Sequence, residues 1–341
     1  MIEHIKSTFY EEEKIKESLI SVIIVNYNGK KWLKKCFDSL YAQTYKNFEI
    51  IFVDNASLDD SVEFVKNNYK DGRIKIIKSD KNLGFAGGNN LGIGKAKGEY
   101  ILLLNNDTWV ENNFLNKMLN SFLNSNYDTM GPIEANYYSK YFKKYSIHLD
   151  FFGHLVYLFG ENKRQENFYL SGVCLLFKKD TYLTSGGLDN DFFMYAEDCD
   201  WFWRLHLLKM KIYQNDNIFV YHAGAGGTGS GIKYLSFLWR NQNTLKMLLK
   251  NYSWYNLLWV LPIYFVQNIF EIIFFLLIFK PKIAYSYIQG WWFNVVNFRK
   301  IMQKRKWVQE NRLVSDYEIM KKMYIGFGKI NHLINFYKMH D

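Results

Sequence analysis

From Leu19 the chain alternates short, continuous apolar runs with helical patterns, and each apolar run ends on polar residues. SLISVIIVNYN, FEIIFVDNAS and RIKIIKS predict three strands, and the run opening ILLLNNDTWV, Ile101 to Val110, predicts a fourth. Leu33, Cys36, Phe37 and Leu40 fall at helical spacing after the first strand, and Val62 and Val65 mark a short helix after the second. Strands that are apolar on both faces and separated by helices build a largely parallel sheet covered by helices. In such sheets a ligand sits beyond the carboxyl ends of the strands. The residues to inspect are therefore Asn26, Tyr27 and Asn28, then Asp54, Asn55 and Ser57, then Asn82 to Gly92, and finally Asn105, Asn106 and Asp107.

With 341 residues there is room for one large domain or two. Cys36, Cys174 and Cys199 are too few and too scattered for a disulfide framework, which makes a reducing, cytoplasmic setting the expectation. The charged opening MIEHIKSTFYEEEKIKES lacks the apolar core of an export signal. Lys plus Arg outnumber Asp plus Glu by 43 to 33, a net charge of +10 that would suit nucleic acid, anionic lipid or a phosphate-bearing substrate. Much of it follows the most hydrophobic part of the chain, at Arg299, Lys300, Lys304, Arg305 and Lys306, which favours a membrane surface over nucleic acid.

NLGFAGGNNLG carries four glycines in eleven residues ahead of an expected helix. It reads either as a loop that lets backbone amides approach an anion or as a plain turn; its spacing is not that of a dinucleotide fingerprint. Residues 128–168 are aromatic and irregular and yield no element. Order returns with the strand LSGVCLLFKKD and then GGLDNDFFMYAEDCDWFWRL, where Glu197, Asp198 and Asp200 lie within four residues among aromatic neighbours. Acids at a helix start can simply complement its dipole, and His222, which closes the strand-like KIYQNDNIFVYH, can be structural. Asp200 and Arg204 are spaced as an ion pair on one helix.

VNYNG, VDNASLDDS, NLGFAGGNNLGI, LLLNNDTWV, FFMYAEDCDWFWR and YH, in this order, resemble the family 2 inverting glycosyltransferases of GT-A fold, in particular the rhamnosyltransferase-like branch that builds cell-surface polysaccharides. The resemblance covers the first 230 positions. It implies an α/β, Rossmann-like mixed sheet flanked by helices as the catalytic domain, 19–235, after a charged tail, 1–18, and before a helical, aromatic region, 236–341. Val25, Tyr27, Asp54 and Asn55 would hold the nucleotide, with Asn82, Gly84, Asn90 and Asn106 lining the same donor pocket. A carboxylate at Asp54 can accept the imide N–H of uracil or thymine. NNDTW stands where the family has D-x-D, so Asp107, completed by His222, would bind Mn²⁺ or Mg²⁺ at the diphosphate. Asn105 replaces the motif's first acid and brings no charge. Asp198 matches the general base that deprotonates the acceptor hydroxyl, and Glu197 would raise its pKa or bind the acceptor.

In the C-terminal third, GAGGTGSG suits a lid or an ordinary loop. Trp254 to Phe279 is long enough to span a bilayer, yet Asn256, Gln267, Asn268 and Glu271 form a polar stripe and Pro262 would kink it. Monotopic docking on the inner face of the cell membrane, anchored by Trp254, Trp259, Trp291 and Trp292, is the expectation, beside a buried helix or a true span. The leading functional reading is metal-dependent transfer of a sugar from a nucleotide donor, dTDP-rhamnose or a UDP-sugar, to a lipid-linked or polysaccharide acceptor. The alternatives are a nucleotidyltransferase or phosphohydrolase on nucleotide sugars, and a non-catalytic nucleotide-sugar binding protein at the membrane.

Overall fold

The computed structural model describes residues 17–142, 145–159, 166–224 and 234–330. Most of the expected tail, and GAGGTGSG after Gly224, lie outside the described residues. Two compact units interleave along the chain. The first takes the described residues of 1–143, 170–190 and 211–229, the second those of 144–169, 191–210 and 230–341. The expected catalytic stretch 19–235 supplies the first unit and two segments of the second.

The first unit is one eight-stranded sheet with its helices. In chain order it holds β1 (Ile20–Asn26), α1 (Lys30–Tyr41), β2 (Phe48–Asp54), α2 (Ser61–Asn68), β3 (Ile74–Lys78), α3 (Gly84–Ile93), β4 (Tyr100–Leu104), β5 (Thr108–Val110), α4 (Phe114–Leu123) and β6 (Thr129–Asn136). Later segments add β9 (Cys174–Lys178), α5 (Lys179–Thr184) and β10 (Ile212–His222), while β7 (Tyr145–Leu149) and β8 (Leu155–Phe159) form a separate antiparallel pair in the second unit. The sheet order is β3-β2-β1-β4-β9-β6-β10-β5. Strands β1 to β4, β6 and β10 run parallel, and β9 and β5 run against them. The chain steps outward from β1 through β2 to β3 and then returns to the other side of β1 at β4. That reversal opens a crevice at the carboxyl ends of β1 and β4.

The strands form where the apolar runs predicted them: β1, β2 and β4 are buried on both faces, and edge strand β3 is half-buried; Val22, Ile24, Ile50, Phe52, Leu102 and Leu104 share one core with Leu33, Phe37 and Leu40 of α1. The glycine-rich segment departs from expectation: it is itself α3. A Cβ on Gly88 would lie 2.6 Å from Val25 Cγ1, so its hydrogen lets the helix lie directly on β1.

The second unit adds α6 (Glu197–Leu207), α7 (Tyr234–Asn251), α8 (Trp254–Leu277), α9 (Pro281–Val296), α10 (Phe298–Asn311) and α11 (Asp316–Lys322). Buried polar side chains tie its helices. Arg305 of α10 donates to the Leu249 and Tyr252 carbonyls at the end of α7, and Lys250, Asn251 and Arg204 all bond Asp200, with Arg204 Nε at 3.1 Å. Of the basic residues after the apolar stretch, Arg305 is buried, Lys300 and Lys304 are both paired with Asp191 at 2.5 Å, and Arg299, Lys300 and Lys306 are exposed. Helix α8 continues through Pro262 and is, among the described residues, the one helix long and apolar enough to cross a membrane.

Candidate active site

At the carboxyl edge of the first unit, side-chain amides join the strand tips. Asn26 Nδ2 donates to Ser57 Oγ (3.1 Å), its Oδ1 accepts from Asn106 Nδ2 (2.6 Å), and Asn28 Oδ1 accepts from the Leu58 amide (2.7 Å). Asn28 and Ala56 are left-handed at φ 52° and 64° without being glycine, a strained geometry that clusters at functional sites. Tyr27 stands exposed and Val25 is half-buried against α3. Asp54 is 5 % exposed; its Oδ2 accepts from the Ser57 amide at 3.3 Å, and its buried Oδ1 has no partner among the described residues. A buried acceptor left unmatched invites a donor from outside the chain.

The remaining amides expected in the donor pocket are occupied by the fold. Asn55 Oδ1 accepts from the Leu83 amide (2.9 Å), while Asn82 Oδ1 accepts from Asn55 Nδ2 (3.0 Å) and the Gly84 amide (2.9 Å). These side chains consume amides at the start of α3 that a phosphate would otherwise use. Asn90 donates to the Leu188 carbonyl (2.7 Å) and Asn190 Oδ1 (2.6 Å) and accepts from Tyr182. Asn105 is half-buried, next to the amide that Asn106 turns toward β1.

Asp107 and His222 meet because β5 runs antiparallel to β10 with Thr108 opposite His222. The stacked rings of Trp109 and Tyr221, 3.9 Å apart, support that register. His222 Nε2 lies 3.2 Å from Asp107 Oδ1 and its Nδ1 2.6 Å from Glu134 Oε1 on β6. Burial alone would lower the imidazole pKa; hydrogen bonds and charge from Asp107 and Glu134 outweigh it and lift it to about 10. One oxygen and one nitrogen donor face each other there, a set that suits Mn²⁺ better than Mg²⁺ once the Nε2 proton leaves. Glu134 lies on the opposite ring nitrogen, and no cluster of three acidic, His or Cys ligands is arranged to hold a metal among the described residues. The two donors fit a cation whose other positions are filled by phosphate and water.

In the second unit, Glu197 and Asp198 open α6 just after Tyr195 (φ 70°) and Ala196 (φ 65°), two consecutive left-handed residues. Asp198 Oδ1 accepts from the Cys199 amide at 2.8 Å and Oδ2 from the Tyr169 hydroxyl. Glu197 is 5 % exposed, and burial, then the Asp198 charge, push its carboxyl well above the usual range. Burial and like charge on the adjacent Asp198 together favour the neutral form of Glu197.

Tyr169, Glu134 and Ser57 complete these arrangements without having been singled out by sequence, apart from Ser57's place at a strand tip. Glu134 lies inside the stretch 128–168 that yields no element and Tyr169 directly after it, so neither carried a local signal.

Residues 21–183 match the family model described as glycosyl transferase family 2. An uncharacterised glycosyltransferase of Haemophilus influenzae is 39 % identical over 106 residues, 31 % of this chain and 42 % of that protein. An Escherichia coli protein named as a UDP-Glc:alpha-D-GlcNAc-diphosphoundecaprenol beta-1,3-glucosyltransferase is 41 % identical over 101 residues, 29 % of this chain and 40 % of its own length. The matched stretches thus span about two fifths of these relatives. Among solved structures, GalNAc-T7 with UDP, GalNAc and Mn²⁺ superposes with TM-score 0.59 at 14 % identity, covering 70 % of this chain and 49 % of that one. At that identity the likeness is one of fold, and the fold is GT-A.

Proposed function

Residues 21–183 form a glycosyl transferase family 2 domain, and from that premise we propose that the protein moves a sugar with inversion from a nucleoside-diphosphate donor to a hydroxyl of a lipid-linked or polysaccharide acceptor at the cytoplasmic face of the membrane. The observation that carries the reading is the pairing of buried Asp107 with His222 at the carboxyl edge of a parallel sheet, 3.2 Å apart. Asp54 Oδ1 would receive the imide N–H of a uracil or thymine base, with Tyr27 and Val25 beside it. Asp107 and His222 would hold a divalent cation, which when bound offsets charge growing on the departing diphosphate. Glu134 accepts the Nδ1 proton of His222 and so would leave Nε2, beside Asp107, as the nitrogen to hold that cation. Asp198, oriented by Tyr169, would take the acceptor hydroxyl proton as the oxygen forms its bond to the anomeric carbon and the bond to the diphosphate breaks.

The sequence resemblance favours dTDP-rhamnose, while the Escherichia coli relative's name and the UDP-bound fold neighbour favour a UDP-sugar. Incubation with a panel of both donors and a diphosphate-lipid acceptor should release nucleoside diphosphate. Asp198→Asn should abolish transfer and retain nucleotide binding; undiminished transfer by that variant, or release of monophosphate, overturns the assignment.

A further inference from the structure

Helices α8 and α9 of the second unit invert the usual partition of side chains. Toward the protein, α8 buries Asn268 beside Leu257, Val260 and Tyr264, joins Asn256 to Asp316 at 2.6 Å, and joins Glu271 to Lys329 at 2.5 Å. Its opposite face exposes Tyr255, Leu258, Val266, Phe270 and Leu277, and no exposed residue of α8 carries a charge or an amide. Helix α9 repeats the pattern. Tyr285, Ile288, Trp292 and Val295 point outward, while Ser286, Gly290 and Asn294, every fourth residue, point inward to α7.

The inward contacts are those of helices that touch through small and polar residues. A Cβ on Gly290 would lie 2.9 Å from the Gln242 nitrogen, Asn294 donates to the Gln242 carbonyl at 2.8 Å, and Asn241 donates to Ser286 at 3.1 Å. Small, hydrogen-bonded positions inside and apolar stripes outside suit helices whose outer surroundings are hydrocarbon. A water-facing helix would show the reverse.

Charge and length select the occupant. Lys280 and Lys282 are exposed at the α8–α9 turn beside Phe279, and Arg299 is exposed just past the far end of α9. Cations at both ends of an apolar hairpin match anionic headgroups along its whole length, whereas crossing the bilayer would carry Lys280 and Lys282 through it. Length disfavours crossing as well: α9, with 16 residues, is about 24 Å long, short of a hydrocarbon core of about 30 Å. Helix α8 is moreover tied to its own unit from Asn256 to Glu271, about 22 Å of helix, so it cannot leave that unit to span.

We propose that the outward stripes of α8 and α9 are a docking surface for an anionic lipid bilayer, on which the hairpin lies in the plane of the interface. The inference builds on the membrane association proposed above, and its test reads no sugar transfer, so the two fail separately. The full chain should float with vesicles of phosphatidylcholine containing a third phosphatidylglycerol, and about tenfold more weakly with phosphatidylcholine alone. Val266→Glu with Phe270→Glu should abolish flotation without changing the circular dichroism melt, and Lys280→Glu with Lys282→Glu should weaken binding to the anionic vesicles at least about tenfold. An environment-sensitive thiol label at Tyr255→Cys, Phe270→Cys or Phe274→Cys, the native cysteines being buried, should be quenched to a similar extent by a shallow lipid-borne quencher. Deepest quenching at mid-bilayer for Phe270→Cys, unaltered flotation of the glutamate variant, or a vesicle-independent dimer that the glutamate variant dissociates would each overturn the proposal.

Discussion

Asn243 should hold the segment that precedes Asp198. Its Nδ2 donates to the Met194 carbonyl at 2.9 Å and the Tyr195 carbonyl at 2.8 Å, and its Oδ1 accepts from Lys246 at 3.2 Å. Lys246 in turn donates to the Asp191 carbonyl at 2.6 Å. The segment so clamped includes Tyr195 and Ala196, both left-handed, a conformation that costs a non-glycine residue about 1–2 kcal/mol. Two lost hydrogen bonds in this half-buried segment cost about 1–3 kcal/mol each. Clamp and strain are therefore of similar size, and Asn243→Ala should destabilise the second unit by about 2–4 kcal/mol and speed hydrogen exchange at residues 194–198. Ala196→Gly removes half of the strain, since glycine adopts φ near 65° freely. The double variant should recover at least about 0.5 kcal/mol beyond additivity, the scale of coupling expected for neighbours. Urea unfolding and peptide-resolved exchange read both effects. A loss under about 0.5 kcal/mol for Asn243→Ala, or strict additivity with Ala196→Gly, would refute the clamp.

Three further expectations rest on single groups. His206 donates Nε2–H to the Phe168 carbonyl at 2.9 Å while its Nδ1 is buried without a partner among the described residues, and burial lowers its pKa to about 4. The unfolded chain takes up that proton first, so this stability is complete at neutral pH and is lost as pH falls from about 6.5 toward 4, by up to about 3 kcal/mol; His206→Gln should flatten the loss in urea titrations at stepped pH. Glu197, raised by burial and then by Asp198, has the opposite sign: stability falls as pH rises above the usual glutamate range, so Glu197→Gln should be more stable than the native chain at pH 8, with a gap that narrows on acidification. Asp54→Asn, on the proposed reading, should weaken UDP or dTDP binding about tenfold or more, the scale of one hydrogen bond to a charged group, and should erase discrimination against CDP in calorimetry.

What the sequence disclosed and what it hid follow from how local each signal is. Strands β1, β2 and β4 were legible because burial on both faces demands continuous apolar runs, β3 from its isoleucines on a half-buried edge, and Asp54 and Asp107 because a polar residue directly after such a run is placed by the strand itself. The glycine segment misled, since glycines that permit helix-on-strand contact look the same in sequence as glycines that permit a ligand. Strands β6, β7 and β8 stayed hidden because they share no one pattern, β6 being buried on both faces and β8 on alternate residues, and Glu134 went with them.

Glu134 alters the reading of the departure at Asn105. From the motif alone, the replacement of an acid by Asn105 leaves Asp107 as the single charge at the strand tip. The parallel pairing of β6 with β10 places Glu134 two residues before the partner of His222, on the same face, with its carboxylate 2.6 Å from Nδ1. A carboxylate that accepts the Nδ1 proton raises the basicity of Nε2, so a second negative charge acts on the site through the imidazole. On the proposed reading, Glu134→Gln should therefore weaken Mn²⁺-dependent nucleotide binding by about 10 to 100-fold, the usual effect of removing such an outer partner, while metal-free nucleotide binding is unchanged. Equal loss with and without Mn²⁺ would show that Glu134 supports only the fold, and would return the site to the single charge of Asp107.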